Sequence, residues 1–332
     1  MHYRDWMERA LYDREGGYYS TRLKSVPDYV TAPSFGPYLG CAVARELIRG
    51  WREMPRMARP KVFTLVEAGC GSEAALTKSA LETLNAEEPD LLDRLQVILA
   101  ERSVARLGAA LETLGRAFPG KVYGCPDISQ IPRIWGAVVS NELLDALPVH
   151  LIRRRQTEVQ EACVEKAAGG GCGFQWKKCD DPVVTSFGLD LPADVSYALN
   201  REALKFLEIV SDRLAHGLLV SIDFGDAQPA IFSRVPVKAF SKGAVKLPNW
   251  NTPGTEDLTS PVDFGLLMDW GGHLGLEALS YETLSSFLIR HRIGEMLSSG
   301  AGREAVEGNL KIKALIHPQG FGEDFKVLIQ GK

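Results

Sequence analysis

Residues Val62 to Gly71, VFTLVEAGCG, decide the fold of this chain. An apolar run of strand length ends in an acid, Glu67, and then in two glycines, Gly69 and Gly71, before a segment with helical spacing. Glycine lets the backbone turn sharply and approach a ligand closely, and the following helix offers free N–H groups to polar atoms. This order is typical of a parallel sheet that presents a nucleoside at the carboxyl ends of its strands.

Strand patterns and helix patterns alternate from this stretch onward. Alternation of this kind predicts parallel strands joined by crossover helices. The predicted strands are VFTLVEA, QVILAE, KVYGC, WGAVVSN and GLLVSIDFG, and the predicted helices among them are Ala74 to Leu84, Val104 to Phe118 and Asn200 to His216, the last with an Asn cap. The predicted fold class is therefore α/β, a Rossmann-like, mostly parallel sheet with helices on both faces.

The predicted core spans residues 59–226 and follows an N-terminal cover segment, residues 1–58, that contains a helix from Tyr38 to Glu53. Residues 149–179 interrupt the core with strand-like runs around the turn AAGGGCG. Glycine-rich turns between short apolar runs are typical of hairpins, so we predict an antiparallel hairpin inserted in or beside the parallel sheet.

Two further segments complete the predicted organisation. Residues 227–280 carry much proline and glycine with little periodicity, which predicts an irregular insertion that covers the site. Residues 281–332 are predicted to hold two helices and the closing strand of the core, FKVLIQG. The two helices are Tyr281 to Leu297 and Arg303 to His317.

The composition excludes several classes of function. The 332 residues are 45% hydrophobic and 24% charged, and the net charge of −4 gives no general field that attracts polyanions, so nucleic acid is not a predicted partner. The six cysteines form no C-x-x-C pair and no H-E-x-x-H spacing occurs, so no metal site is predicted. No basic leader or apolar window of about 18 residues is present, which predicts a cytoplasmic protein without a membrane span.

Three acids near the glycines bear on the ligand. Glu101 ends the second strand, where its carboxylate can accept hydrogen bonds from both ribose hydroxyls; exposure at a strand end is the alternative reading. Asp127 either accepts from an adenine amino group or simply forms a turn. Glu73 stands where dinucleotide folds often have a third glycine, and its charge would repel a pyrophosphate. S-adenosylmethionine, a sulfonium cation without phosphates, is a ligand of the expected kind.

A second polar group follows the apolar strand VVS. Asn141, Glu142 and Asp145 lie at the carboxyl edge where ligands bind in open α/β sheets, although they could instead cap a helix. If the segment is helical, Glu142 and Asp145 share a face. Asp223 ends the next strand at the same edge. We predict that Glu142, Asp145 and Asp223 serve the group that receives the methyl.

The sequence resembles the MidA family of class I S-adenosylmethionine methyltransferases, of the complex I assembly factor type. The segments that carry the resemblance are ALYDREGGYY, DYVTAP, VEAGCG, NELLDALPV, SIDFG, PGTEDLTSPVDF and the terminal FKVL. The resemblance implies cofactor contacts through Glu67, Gly69, Gly71, Glu101 and Asp127, and it places Asn141, Glu142 and Asp145 beside the methyl group. It also implies that the first 35 residues and the region from Asp257 to Asp263 fold over the site.

Three functions stay open at this point. The first is methyl transfer to an arginine of a protein, for which carboxylates would orient the guanidinium and take up its proton. The second is methylation of a small molecule at oxygen or nitrogen, suggested by the departure from the family pattern at Ser34 to Pro37. The third is a weakly catalytic, cofactor-binding assembly protein, suggested by Glu73. The implied partners are a methyl acceptor and, in a homodimer, a second copy of the chain.

Overall fold

The computed structural model describes residues 1–22, 35–166, 170–241, 243–300, 302–317 and 321–332. Its strands are β1 (Phe63–Ala68), β2 (Leu95–Ala100), β3 (Val122–Cys125), β4 (Ile134–Asn141), β5 (His150–Arg155), β6 (Glu158–Lys166), β7 (Cys172–Lys178), β8 (Ser196–Leu199), β9 (Leu214–Asp226), β10 (Lys238–Ser241), β11 (Ala244–Lys246), β12 (Asp257–Thr259), β13 (Val262–Asp263), β14 (Glu277–Thr283) and β15 (Phe325–Gly331). Its helices are α1 (Tyr3–Tyr12), α2 (Tyr18–Thr21), α3 (Tyr38–Glu53), α4 (Ala75–Glu87), α5 (Pro89–Arg94), α6 (Val104–Ala117), α7 (Pro182–Leu189), α8 (Arg201–Arg213), α9 (Phe264–His273), α10 (Leu284–Arg290), α11 (Arg303–Ile316) and α12 (Phe321–Asp324).

The chain forms two compact units. We call the larger one the core unit; it comprises Val30–Leu143, Leu207–Phe224 and Met268–Lys332. The second unit comprises Met1–Tyr29, Leu144–Phe206 and Gly225–Leu267. The predicted roles of residues 1–58 and 227–280 as covers stay predictions.

The core unit is built on one mostly parallel sheet, as predicted. The strand order is β14-β15-β9-β4-β1-β2-β3, in which β9, β4, β1, β2 and β3 run parallel. The C-terminal strand β15 lies antiparallel to both β9 and β14. Strands buried on both faces read as continuous apolar runs, which is why β1 and β4 were recognisable from the sequence.

The core packs most closely at the amino ends of three neighbouring strands. A Cβ atom on Gly136 would lie 1.8 Å from the carbonyl oxygen of Thr64, and a Cβ on Gly217 would lie 1.8 Å from that of Gly136. Real Cβ atoms do not approach this closely, so β4 and β9 need glycine at these positions. The predicted helix from Tyr38 to Glu53 is confirmed, and it buries Leu47 and Trp51 in the main apolar cluster.

The second unit contains two small sheets. One is antiparallel with the order β7-β6-β5-β8, so the predicted hairpin pairs with β8 rather than with the parallel sheet. The other has the order β11-β10-β12. Helix α1 supplies Tyr3, Trp6 and Met7 to an apolar cluster with residues of β5 and β6. Aromatic side chains of this size bury much apolar area, so α1 is a substantial part of this core.

Residues 200–297 differ from the sequence-based expectation in three places. The stretch 227–280 is more regular than predicted. Its strands β10 to β13 are only two to four residues long and its helix α9 contains three glycines, so neither periodicity is visible in the sequence. Residues 281–283 belong to β14 rather than to a helix, since pairing with β15 overrides local propensity. The helix predicted to end at His216 ends at Arg213, because β9 begins there. No helix in the described ranges is long and apolar enough to span a membrane.

Candidate functional site

The glycine loop after β1 meets the loops that follow two other strands of the core unit. Gly69 and Gly71 have φ values of +74° and +64°, which side chains rarely adopt. The N–H of Gly69 donates to the carbonyl of Ala100 at 2.7 Å, and a Cβ on Gly69 would lie 2.9 Å from Cδ1 of Leu143. Apart from Gly71 itself and its two neighbours in the chain, no atom of the described residues lies within 4 Å of a Cβ built on Gly71. The loop is therefore packed at Gly69 and open at Gly71.

Glu101 links the glycine loop to the start of α6. Its Oε2 accepts a hydrogen bond from the N–H of Gly71 at 3.1 Å, and its Oε1 accepts from the N–H of Ser103 at 2.8 Å. A carboxylate has about four lone-pair sites, so each oxygen can accept a further donor. The side chain is half-buried beside an open loop. This position suits ribose hydroxyls, and the ribose contact stays a prediction.

Glu67 lies behind the loop, where its side chain is 5% exposed. Its Oε2 accepts from the N–H of Thr77 at 3.2 Å, in the first turn of α4. Residue Ala74, which precedes α4, has no capping side chain, so Glu67 takes over that task. Burial raises the pKa of Glu67 to about 7; the hydrogen bonds from Thr77 lower it and the charge of Glu101 raises it further. Glu67 thus holds the first turn of α4, and its predicted cofactor contact stays a prediction.

Asp127 is exposed and uses its side chain in a local turn. Its Oδ1 accepts from the N–H of Ser129 at 2.9 Å, and its Oδ2 accepts from the side-chain amide of Gln130 at 3.4 Å. The backbone hydrogen bond from Ser129 lowers the pKa of Asp127. These contacts support the interpretation of Asp127 as a turn former. Its contact with an adenine amino group stays a prediction.

The point where the strand order reverses lies between β1 and β4. The chain runs outward from β1 to β2 and β3 and then returns to the other side of β1 as β4. Ligands of open α/β sheets bind in the crevice at such a switch point, outside the carboxyl ends of the strands. Gly69 directly follows β1 and Asn141 ends β4, so the two residues flank this crevice.

Asn141 and Glu142 form a pair at the end of β4. The side-chain amide of Asn141 donates to Oε1 of Glu142 at 3.2 Å, and the N–H of Glu142 donates to the carbonyl of Ile222 at 3.0 Å. Glu142 has a φ of +49°, a conformation that costs a residue with a side chain about 1–2 kcal/mol. Within the described ranges, the buried Oδ1 of Asn141 has no hydrogen-bond donor. Strain of this kind clusters at functional sites.

Asp223 lies next to this pair on β9. Its side chain is fully buried, and its Oδ1 accepts from the N–H of Phe224 at 2.9 Å. Its neighbour Ile222 is the residue whose carbonyl binds the N–H of Glu142. The core unit thus brings two of the three predicted acceptor-side carboxylates, Glu142 and Asp223, to neighbouring positions on β4 and β9. Asp223 does not end its strand as predicted, because β9 continues to Asp226.

Asp145 belongs to the second unit. The helix that would put it on one face with Glu142 does not form: residues 142–149 are bends and turns. The left-handed backbone of Glu142 and the presence of Pro148 both oppose helix formation here. Asp145 is 6% exposed, and its Oδ2 accepts from the hydroxyl of Thr259 at 2.6 Å. The common-face argument therefore fails, while its predicted catalytic role stays a prediction.

Thr259 is a polar contact that the sequence did not single out. Its place within the segment PGTEDLTSPVDF is the only feature of the sequence that points to it. Of the departure from the family pattern at Ser34 to Pro37, Ser34 lies outside the described residues, as does the segment DYVTAP. The ring of Phe35 packs against that of Phe321, with the ring centroids 5.4 Å apart.

The core-unit residues fit S-adenosylmethionine as a ligand. The space beside Gly71 is open, Glu101 has lone pairs to spare, and Oδ1 of Asn141 is an acceptor without a donor in the described ranges. The ribose hydroxyls and the ammonium group of S-adenosylmethionine are hydrogen-bond donors. Glu101 and Asn141 would thus offer hydrogen-bond acceptors to the donor groups of the ligand.

Known proteins resemble this chain in sequence and fold. A protein of Drosophila melanogaster named "Protein arginine methyltransferase NDUFAF7 homolog, mitochondrial" is 24% identical over 291 residues, which cover 79% of this chain and 64% of that protein, less than two thirds of its length. A crystal structure from Burkholderia thailandensis, bound to S-adenosyl-homocysteine, has a TM-score of 0.86 at 24% identity and covers all of this chain and 88% of that one. A second crystal structure from the same organism has a TM-score of 0.86 at 23% identity and covers all of this chain and 87% of that one.

These likenesses confirm the predicted fold, and a family match adds the cofactor. A family described as S-adenosyl-L-methionine-dependent methyltransferases matches residues 42–282, which is more than half of the chain. This match agrees with the resemblance to the MidA family, with the open space beside Gly71 and with the acceptor atoms at the ends of β2 and β4. The chain belongs to this family of S-adenosyl-L-methionine-dependent methyltransferases.

Proposed function

We propose that this chain transfers the methyl group of S-adenosylmethionine to an arginine side chain of a protein. The observation that carries the proposal is the strained Glu142 at the end of β4, beside the strand β9 that holds the buried Asp223. Two carboxylates on neighbouring strands suit a cationic acceptor. The name of the Drosophila relative, a protein arginine methyltransferase, supports the same substrate class.

The chemistry explains why carboxylates are needed. A guanidinium is charged and non-nucleophilic at neutral pH, so its proton must leave as the N–C bond forms. When bound, S-adenosylmethionine supplies the methyl group, and its S–C bond breaks. Glu142, Asp145 and Asp223 would orient the guanidinium and take up its proton. Much of the acceleration would come from holding nitrogen, methyl and sulfur in line.

On the cofactor side, the proposal keeps the predicted set of residues. Gly71 leaves space for the ligand, Glu101 accepts from the ribose, and Asn141 accepts from the ammonium group. Glu67 holds the first turn of α4, and Gly69 ties the loop to Ala100. Asp127 takes the adenine end.

One experiment separates this proposal from the two alternatives. The chain is incubated with cell lysate and S-adenosylmethionine that carries a tritiated methyl group, and the products are separated by size. Label in protein, recovered as methylarginine after hydrolysis, supports the proposal; label only in small molecules favours the second function. Cofactor binding without transfer to either fraction favours the weakly catalytic assembly protein.

Glu142→Gln tests the role of Glu142 in the same assay, because it keeps the shape of the side chain and removes its charge. We expect it to lose most of the transfer. Glu112→Gln, on the exposed surface of α6, should transfer as the unchanged chain does. Equal loss in both variants would contradict a specific role of Glu142.

The compartment and the assembly are separate parts of the proposal. We propose the cytoplasm, although the Drosophila relative is named as mitochondrial, and we keep a homodimer as the predicted oligomeric state. Fractionation of cells and light scattering of the purified chain test the two statements independently.

A further inference from the structure

The turn formed by Leu144, Asp145 and Ala146 is held by three separate elements of the second unit. Each of its three carbonyl oxygens accepts a hydrogen bond from a different segment. The donors are the side-chain amide of Asn200 to Leu144 at 2.6 Å, the N–H of Ser260 to Asp145 at 2.9 Å, and the hydroxyl of Tyr12 to Ala146 at 3.0 Å. A turn bonded at three consecutive carbonyls has little conformational freedom.

Thr259 fixes the side chain of the central residue as well. Its hydroxyl donates to Oδ2 of Asp145 at 2.6 Å, and the two residues are 8% and 6% exposed. Hydrogen bonds to a carboxylate are short and roughly twice as strong as neutral ones, and burial strengthens them. The donor is itself held, because Thr259 pairs with Lys238 in the small sheet and a β-branched side chain has few rotamers.

We propose that Thr259 is a positioning residue for methyl transfer. It holds one oxygen of Asp145 and thereby sets the direction of the other, while Tyr12 and Ser260 hold the backbone of the same turn. Thr259 acts only through Asp145, which keeps the acceptor-side role predicted for it. This inference rests on the proposed function, because it assigns Asp145 to the acceptor side.

The first test compares two substitutions at Thr259. Thr259→Val keeps the β-branched shape and removes the hydroxyl, whereas Thr259→Ser keeps the hydroxyl. Initial rates are measured with tritiated S-adenosylmethionine and the lysate fraction, protein or small-molecule, that the unchanged chain labels. We expect about a tenfold or larger fall in apparent kcat for Thr259→Val, a KM for S-adenosylmethionine within about threefold, and near-normal rates for Thr259→Ser.

The matched control is Thr255→Val. Thr255 is exposed, and its hydroxyl donates to the carbonyl of Thr252 at 2.8 Å, so the substitution removes a comparable bond outside the turn. We expect normal kcat and KM. A loss as large as that of Thr259→Val would overturn the proposal.

A double-mutant cycle tests whether Thr259 acts through Asp145. In the Asp145→Asn background, Thr259→Val should lower kcat no further, because residues that act as one unit are not additive. A full additional loss in that background would overturn the proposal, as would unchanged kcat in the single variant or failure of Thr259→Ser to restore it. If the unchanged chain labels neither fraction, the proposed function fails and the positioning role fails with it. If the unchanged chain is active and substitution of Thr259 does not change its kcat, only the positioning role is refuted.

Discussion

The carboxylate of Glu101 accepts a hydrogen bond from the backbone N–H of Gly71 at 3.1 Å, across 30 residues of sequence. The bond joins the acid that ends the second strand to the glycine loop that follows the first. Because both belong to one hydrogen-bonded group, the position of the loop and that of the predicted ribose acceptor are set together. A cofactor would therefore find its two anchoring features already aligned.

Gly71→Val should abolish tight cofactor binding, because the side chain would fill the open space beside the loop. The matched control is Gly120→Val: Gly120 has a φ of +75° and, like Gly71, no neighbour within 4 Å of an added Cβ in the described ranges. Both variants carry a backbone cost of about 1–2 kcal/mol. Isothermal titration with S-adenosylmethionine should show at least about a tenfold weaker Kd for Gly71→Val alone. Equal affinity in two folded variants would refute the placement of the ligand.

Glu142→Gln should keep the cofactor and lose the reaction. A group used chiefly in the transition state lowers turnover without weakening the ground-state complex. We expect the Kd for S-adenosylmethionine to stay within about threefold, which is less than about 1 kcal/mol. Titration calorimetry on the folded variant measures it. Loss of cofactor affinity would move Glu142 to the cofactor side.

Glu67 should make the core unit less stable as pH rises. Its pKa is about 7 in the folded chain against 4.5 when unperturbed, so the folded state keeps the proton longer than the unfolded state. The free energy of unfolding therefore falls between pH 4.5 and 7, by up to about 3 kcal/mol, and is flat above. Glu67→Gln removes this dependence. Urea unfolding measures the free energy of unfolding of both proteins at pH 5 and pH 8. The stability of the variant relative to the unchanged chain should be higher at pH 8 than at pH 5. No such difference would indicate that the charge of Glu67 lies in a solvated site.

Glu46 should behave in the opposite sense. Burial would raise its pKa, but hydrogen bonds from one histidine and two arginines lower it to about 2. These partners are His291, Arg49 and Arg290. Its stabilising effect is present above pH 4.5 and is lost as pH falls through 2. Glu46→Gln should cost about 3 kcal/mol at pH 7 and progressively less in acid, as measured by urea unfolding. A cost that does not depend on pH would contradict the ion pairs.

Tyr12→Phe tests the hydrogen bond that holds the turn formed by Leu144, Asp145 and Ala146 at its last residue. The variant loses the hydroxyl bond to Ala146, worth about 1 kcal/mol, and we expect methyl transfer to fall severalfold. Tyr123→Phe is the matched control, since its exposed hydroxyl donates to the carbonyl of Gly120 at the same distance of 3.0 Å. Thermal unfolding and the lysate assay should separate the two variants. Similar behaviour of both would remove Tyr12 from the argument.

The parallel core was predictable because its information is local. Strands β1 and β4 are buried runs with acids or glycines at their ends, and α3 shows its apolar face at helical spacing. The glycine loop and the acids that follow the strands were found for the same reason. Position along the chain was enough to put them at one edge of the sheet.

The remainder depended on contacts that no local pattern encodes. Residues 281–283 become a strand because β15 pairs with them, and Asp145 turns toward Thr259 because three segments of the second unit bind its turn. The sequence showed a cluster of carboxylates after β4 but not their directions. Direction here is set by backbone strain at Glu142 and by a donor 114 residues away from Asp145.

The two glycines at the amino ends of β4 and β9 impose one joint condition on the sequence. Alanine at position 136 would push against the backbone of β1, and alanine at 217 would push against that of β4, so changing both adds a second collision instead of relieving the first. The strands are held at fixed spacing at this end, opposite the loops that are proposed to meet the ligand. Substitutions in those loops therefore leave the backbone contacts that set the spacing of the three strands at their amino ends unchanged.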